Sequence, residues 1–353
     1  MKRRFLLFFF GFAFCFPLIS TAQDKLLTQA FAHPVDLNPA YAGDVAGRYR
    51  VSLAYRDQWR SIIESPFTTM AIYGDLKIIP DKQKDDYFGA GFSLLTDRTA
   101  ILNINQNMLS LYGSYHKALN KDQGQYLAAG LNVGVAQRNV NYENIYFNDQ
   151  FNGLDQYSLG TAENLPNNNF AFMDLGLGVR YSSSASKYSS FSFGFSVDHL
   201  IGNSISFYKH SLDDETYALL PDSKIDRKLT GYLSMEISSN ELIAFLPRLL
   251  WQLQGPHQMI AAAGLVKFDL TNYDNQAFHI GGGVRFNQTS STGLKPSAVY
   301  LLTAYEVKGL LIGLSHDILV NNLNEGHAGK GAFELSISFT GFYENDDSIC
   351  PSF

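Results

Sequence analysis

The feature that most constrains this chain is a period-2 alternation of apolar and polar residues. It recurs in segments of roughly ten residues separated by polar turns, the signature of strands that cross a bilayer in a closed barrel. In the first segment Tyr49, Val51, Leu53 and Tyr55 fall on one face, and Arg50, Ser52, Ala54 and Arg56 fall on the other. Successive side chains of a strand point to opposite faces, so one side of this segment is apolar and the other polar. The pattern returns with Met70, Ile72, Leu76 and Ile78, then with Phe88, Ala90, Phe92 and Leu94, and then with Leu109, Leu111, Gly113 and Tyr115. Later rows include Leu175, Leu177, Val179 and Tyr181, then Phe191, Phe193, Phe195 and Val197, and finally Phe333, Leu335, Ile337 and Phe339. About 14 rows are present, an even number as single-chain bacterial barrels require. The reading is all-β: one antiparallel transmembrane barrel. A soluble β-sandwich is the competing fold for any one row.

The start of the chain agrees with export. A short basic stretch, Met1 to Arg4, precedes an apolar run from Phe5 to Ile19, and Ser20-Thr21-Ala22 places small residues at −3 and −1 of a cleavage site. We read residues 1–22 as a secretory signal peptide. The rest of the chain lacks an apolar stretch of the roughly 18 residues that a spanning helix needs, so a membrane-spanning mature chain must be a barrel. Aromatic residues make up 14% of the sequence and charged residues 17%, a composition unlike a disordered segment or a helical bundle. A net charge of −6 argues against nucleic acid as a partner. Cys350 is the one cysteine after the leader, so no intrachain disulfide is expected.

Loop lengths orient the barrel, because such barrels have short periplasmic turns and longer outer loops. With the first strand running outward, the connections at 80–86, 120–124, 182–187, 238–240, 271–275 and 308–309 are the short ones. The longest connections, 139–169 and 201–227, then lie outside together with 321–330. Both termini are expected to be periplasmic: a periplasmic segment at 23–47, a barrel at 48–343, and a tail at 344–353. Trp59 and Trp251 fall near the outer strand ends, where an aromatic belt sits.

Parity assigns a polar, charged inward face. Arg48, Arg50, Arg56 and Arg60 line one edge, and Asp75, Asp174, Glu236, Glu306, Asp317 and Glu334 are the candidate inward carboxylates. These charges are expected to cross-link and fill the lumen rather than to line a substrate path. Catalytic and cofactor signals are thin. No histidine lies at metal-ligand spacing with a second histidine or a cysteine. Gly281-Gly282-Gly283 sits inside an alternating row and opens no helix, which removes the phosphate-cradle reading. His316 and Asp317 are strand neighbours, so they point to opposite faces and cannot form a dyad. Asp213-Asp214-Glu215 reads as a solvated acidic run. We expect no catalytic, metal or cofactor site.

The most specific stretch follows the leader: Gln29-Ala30-Phe31-Ala32-His33-Pro34, then Leu37 and Asn38-Pro39-Ala40-Tyr41-Ala42-Gly43, with Tyr55-Arg56-Asp57-Gln58-Trp59 beyond. It resembles the opening of the PorP/SprF family of Bacteroidetes outer-membrane proteins, whose members carry an Asn-Pro-Ala-Tyr-Ala-Gly stretch and a Tyr-Arg-x-Gln-Trp strand. Leu314-Ser315-His316-Asp317, Gly331-Ala332-Phe333-Glu334-Leu335 and Cys350-Pro351-Ser352-Phe353 look like that family's last hairpin and tail, with His316 where an aromatic residue is expected. The resemblance implies a role in type IX secretion, as a component of the export machinery or as an anchor that holds a secreted surface protein, such as a large adhesin of gliding motility, through its C-terminal domain. Other periplasmic secretion components and outer-membrane lipid are the further partners implied. Pro34 and Pro39 exclude a regular strand or helix there, so this stretch is expected to be a structural plug packed against or inside the periplasmic mouth. The long loops supply candidate partner-gripping residues: Tyr142, Tyr146, Phe147, Phe151 and Tyr157 in the first, and Phe207, Tyr208 and Tyr217 in the second. A porin or small-molecule transporter is the alternative.

Overall fold

The computed structural model describes residues 24–342 except 62, 64, 81–84, 100–103, 121–123, 144, 187–188, 212–222, 272–275, 290–291 and 321–329. The expected leader, Tyr217, the acidic run 213–215 and Cys350 lie outside the described residues. Fourteen antiparallel strands close into one barrel. They are β1 (Tyr49–Gln58), β2 (Phe67–Ile78), β3 (Tyr87–Thr99), β4 (Ile104–Asn120), β5 (Gln125–Val140), β6 (Asn169–Ser186), β7 (Ser189–Asp198), β8 (Lys228–Ser238), β9 (Ile243–Gln254), β10 (His257–Thr271), β11 (Gln276–Thr289), β12 (Thr292–Val307), β13 (Leu310–Leu319) and β14 (Lys330–Gly341). Every strand pairs with its sequence neighbours, and β1 closes on β14 in a register that sets Tyr49 opposite Gly341 and Gln58 opposite Ala332. Closure leaves no unpaired sheet edge, the condition for irregularly placed backbone to be absent from lipid.

The alternating rows take the faces that their parity assigns. Val51, Leu53, Met70, Ile72, Leu111 and Leu301 are exposed on the outer wall. Ser52, Arg56, Asp75, Asp174, Asp317 and Glu334 are buried on the inner one. His316 and Asp317 do point to opposite sides, one exposed and one buried. No helix among the described residues is long and apolar enough to cross a membrane; in a transmembrane barrel the outward apolar strand faces meet the lipid.

The three longest connections, 141–168, 199–227 and 320–329, all join strand ends at one end of the barrel, here the loop end, although connections of two residues occur at both ends. At the turn end the two-residue turn Lys308-Gly309 has positive φ at both residues (49° and 82°). Paired left-handed residues match the right-handed twist of a tight hairpin, which favours glycine at the second position.

The N-terminal segment corrects two expectations. It is not confined to the mouth through which β1 and β14 leave the barrel; residues 24–47 run lengthwise through the lumen. The amide of Asp24 donates to Gln254 Oε1 at the last residue of β9, which lies at the loop end (3.0 Å). Lys77, near the turn end of β2, donates to the carbonyl of Val45 (2.8 Å). The first described residue and Gly341 therefore lie at opposite ends, not together. Short helical pieces also form where none was expected: α1 (Pro34–Leu37) and 3-10 turns at Ala30–Ala32 and Pro39–Tyr41. Each proline opens its piece, the one helical position where a missing N–H costs nothing.

The lumen holds an apolar core as well as charge. Leu27, Val35, Leu37, Tyr41 and Ala42 of the segment pack on inward residues of the wall, among them Tyr73, Leu95, Tyr112, Tyr232 and Leu250. Burying such side chains contributes roughly 1.5–3 kcal/mol each relative to leaving them in water.

Candidate functional site

Three polar clusters and a row of wall glycines hold the plug. The first cluster clamps Asp24 at the loop end. Its carboxylate accepts from Lys228 Nζ (2.7 Å) and His199 Nε2 (2.9 Å), and the other His199 nitrogen meets Asp174 (3.0 Å). Burial opposes the charge on His199 but the carboxylates of Asp24 and Asp174 overcome it and push its pKa up to about 10, so the imidazole is cationic at neutral pH. Burial also opposes the charge on Asp24, but Lys228 and His199 hold it well below the usual carboxylate range.

The second cluster is a buried charge lattice just inside the loop end, around Thr28 and Gln29. Glu334 accepts the backbone amides of Thr28 (2.8 Å) and Gln29 (2.7 Å), together with Arg56 Nη1 (3.2 Å). Arg56 and Arg285 both donate to Asp317 (3.1 and 3.0 Å) and to the Thr28 hydroxyl (2.9 Å each), and Thr28 donates to Asp317. Two guanidiniums face two carboxylates, so the lattice is formally neutral, and each of the four carboxylate oxygens accepts at least one hydrogen bond, which is what makes buried ions tolerable.

The third cluster lies toward the turn end. The Gly43 amide donates to Asp75, which Arg50 also grips through two bonds of 2.9 Å. Asp44 pairs with Arg180 (2.8 Å), whose guanidinium lies over the Tyr41 ring at 4.4 Å. The Ala42 carbonyl accepts from Ser114 (2.7 Å) and from His116 Nε2 (2.8 Å). Between clusters, His33 is fully buried against Tyr73 (ring centroids 4.9 Å) with Nδ1 on Ser52 (3.2 Å).

Asn38-Pro39-Ala40-Tyr41-Ala42-Gly43 owes its seat to side-chain capping and to missing side chains. Asn38 accepts the Ala40 amide (2.8 Å) and donates to the carbonyls of Val179 and Phe195 (3.0 and 3.2 Å). Gly89, Gly130 and Gly178 form the facing wall; a Cβ on Gly130 would come within 2.5 Å of the Pro39 and Ala40 backbone. Gly43 itself has φ +72° and its own Cβ would meet the Gly89 Cα at 2.6 Å, so neither position accepts a side chain.

Of the other residues named from sequence, Arg48 sits half-buried at the turn end, where its backbone bridges Gly341 and Lys77. Arg60 departs from the inward set: it lies past the end of β1, exposed, and pairs with Asp57 and Tyr55. The strand has ended there, so parity no longer governs direction. Gln58 and Trp59 border a mouth cavity of about 360 Å³ whose floor is Arg56, Arg285 and Asp317. Trp59 has φ 63°, rare for a bulky residue, and packs edge-on to Phe67. A second cavity of about 790 Å³ opens at the turn end beside Phe31, Arg50 and Leu311. The plug separates the two. Arg180, Lys228 and Arg285 are absent from the sequence-based set, although the apolar partners Val179 and Val284 flag Arg180 and Arg285 as inward by the same parity.

At the loop end the two long connections differ. Phe207 is half-buried and packs on the inward Phe170 (5.0 Å), and His210 stacks on Phe170 (4.1 Å), so this part of the second loop packs at the mouth. Tyr208 is exposed. In the first loop Tyr146, Phe151 and Tyr157 form an exposed aromatic cluster with centroids 5.3–5.5 Å apart, while Tyr142 and Phe147 are half-buried. No group of three or more potential metal ligands occurs among the described residues.

No curated protein matches this chain. Among solved structures, the CymD monoaromatic hydrocarbon channel aligns with a TM-score of 0.51 at 8% identity, covering 88% of this chain and 93% of that one. The toluene transporter TbuX of Ralstonia pickettii aligns with a TM-score of 0.48 at 10% identity over 87% of this chain and 92% of its own. At such identities CymD speaks for the fold alone, an outer-membrane barrel. The family model for the type IX secretion system membrane protein PorP/SprF matches residues 19–339, nearly the whole chain, so this barrel belongs to the PorP/SprF family and is a type IX secretion protein of the outer membrane.

Proposed function

We propose that this barrel is a protein-holding platform of type IX secretion: it binds a secreted surface protein through that protein's C-terminal domain, with the long loops outside and the short turns in the periplasm. The observation that carries this reading is the plug. Residues 24–47 occupy the lumen from one end to the other, and buried charge, side-chain capping and glycine contacts fix them at each level. A solute crossing through the lumen would have to displace this segment. The rims stay available for contact, and the loop end carries two connections of nearly thirty residues each.

Isolation of the tagged chain from its native outer membrane tests the reading. The expected result is co-purification of one large secreted protein in near-equimolar amount, retained when other secretion components are removed by detergent. Recovery of the barrel alone, together with normal surface display of secreted proteins in cells that lack it, would overturn the proposal.

A further inference from the structure

The first long loop is a built structure rather than a slack connection. Asn152 Oδ1 accepts the amides of Leu154, Asp155 and Gln156 (2.9, 3.0 and 3.2 Å), and the Asn152 amide donates back to the Gln156 carbonyl (2.8 Å). Gly153 supplies the left-handed turn residue with φ 80°. Below this tip, Phe151 and Tyr157 pair as a short bridge and Leu159 donates to Gln150 (3.0 Å). At the base, Asp149 accepts the Ala162 amide (2.6 Å) and the Thr161 hydroxyl, and those bonds keep its carboxyl below the usual range. The result is a finger whose backbone is hydrogen-bonded to itself.

What this finger displays is apolar. Leu154 at the tip is 86% exposed, and Tyr146, Phe151, Tyr157 and Leu159 beside it are between 42% and 64% exposed. A structured loop gains nothing by holding two leucines and three aromatics in water, and contiguous patches of this kind mark contact surfaces. The loop that carries the patch has charge of one sign. Residues 141–168 contain Glu143, Asp149, Asp155 and Glu163 and no lysine, arginine or histidine. An anionic lipid surface would repel this loop, whereas a basic protein surface would be drawn to it, and arginine side chains stack on tyrosine faces.

Resting on the reading of the barrel as a platform for a secreted protein, we infer that the finger 146–159 is the docking surface, and that it fits a basic patch of a polypeptide with a hollow for Leu154. The acidic rim steers the encounter and the leucine and aromatic cluster fix it, in the way rigid aromatic contacts with few rotatable bonds anchor a paratope.

The test places a photoreactive residue at Leu154 and, separately, at Leu311 in the turn-end cavity, in cells of the native host. Irradiation is followed by mass spectrometry of the cross-linked peptide. The expected result is an adduct of an exported protein at position 154 through a segment of net positive charge, reduced severalfold in the E143Q/E163Q variant, which leaves the carboxylates bonded within the finger in place, and by raised salt. An adduct of that protein at 311 with none at 154 overturns the finger as the docking surface and leaves the platform reading standing. No protein adduct at either position overturns both. Binding of the purified barrel to lipopolysaccharide vesicles, lost in L154S/Y157S, would assign the finger to lipid and overturn the inference as well.

Discussion

Exchanging one oxygen for an amide nitrogen at Glu334 isolates the electrostatic hold on the plug. Glu334 accepts the amides of Thr28 and Gln29 and one Arg56 donor, all in a fully buried site. In Glu334→Gln the size is kept, but only one oxygen remains to accept, and the new amide must face a donor. Arg56 and Arg285 are left sharing the single charge of Asp317. Removing one partner from a buried ionic set costs roughly 3–5 kcal/mol. At about 1.4 kcal/mol per tenfold, the equilibrium for plug release shifts by roughly two to four powers of ten. Amide hydrogen exchange in detergent or nanodiscs reads this directly. Exchange at Thr28 and Gln29 rises merely because their acceptor is altered, so the informative amide is Ala40, bonded to Asn38 and far from Glu334. If the plug docks as one unit, Ala40 exchange accelerates by a similar factor while the wall amides of β3 and β4 stay protected. Unchanged exchange at Ala40 would refute the cooperative plug. The double change Arg56→Leu with Glu334→Leu keeps the lattice neutral and should recover roughly half of the lost protection.

Gly130→Val drives two branches into the Pro39 and Ala40 backbone; limited proteolysis should then cut within residues 24–47 while the barrel keeps its heat-modifiable mobility on gels, and a protected plug would contradict the packing. The hold on the plug should weaken above neutral pH. His199, raised against burial to about 10 by the carboxylates of Asp24 and Asp174, supports the folded plug fully below its unfolded value of 6.5 and loses that support as pH climbs to about 10. Proteolytic nicking of the segment measured from pH 6 to 10 should therefore rise, and a flat curve would remove His199 from the account. Leu111→Arg, on the exposed outer face of β4, should cost roughly 2–4 kcal/mol in urea unfolding from vesicles, as arginine does at the bilayer midplane; a negligible cost would place that face outside the hydrocarbon.

The wall of this protein was legible because its signal is local. A strand's period of 2 is written in adjacent residues, so Val51 and Leu53 outside and Arg50, Ser52 and Arg56 inside follow from parity once β1 is located. Arg180 and Arg285 were within reach of the same rule. Arg60 shows where the rule stops, one turn past the strand end. The plug was not legible. Its partners are hundreds of residues away in sequence, as with Thr28 and Glu334 or Asp24 and Lys228, and no periodicity marks a segment that fits a lumen by capping and glycine contact. From sequence the prolines exclude any regular strand or helix, yet a short α-helix and a 3-10 turn begin at Pro34 and Pro39, because proline is tolerated at the first helical position. Its direction was missed for a related reason: which end of the barrel a threaded segment starts from is set by contacts such as Asp24 with His199, and the scattered histidines gave no sign of being plug contacts. The finger was visible as a long aromatic loop, whereas its outermost residue, Leu154, emerges only from the turn that Asn152 builds.

Single-channel conductance of the reconstituted chain, with and without residues 24–46, tests the filled lumen most directly. The intact barrel should show no steady ion current, and the shortened one should open to a lasting conductance. A steady current through the intact chain, unchanged by removing the segment, would contradict the platform and restore the pore.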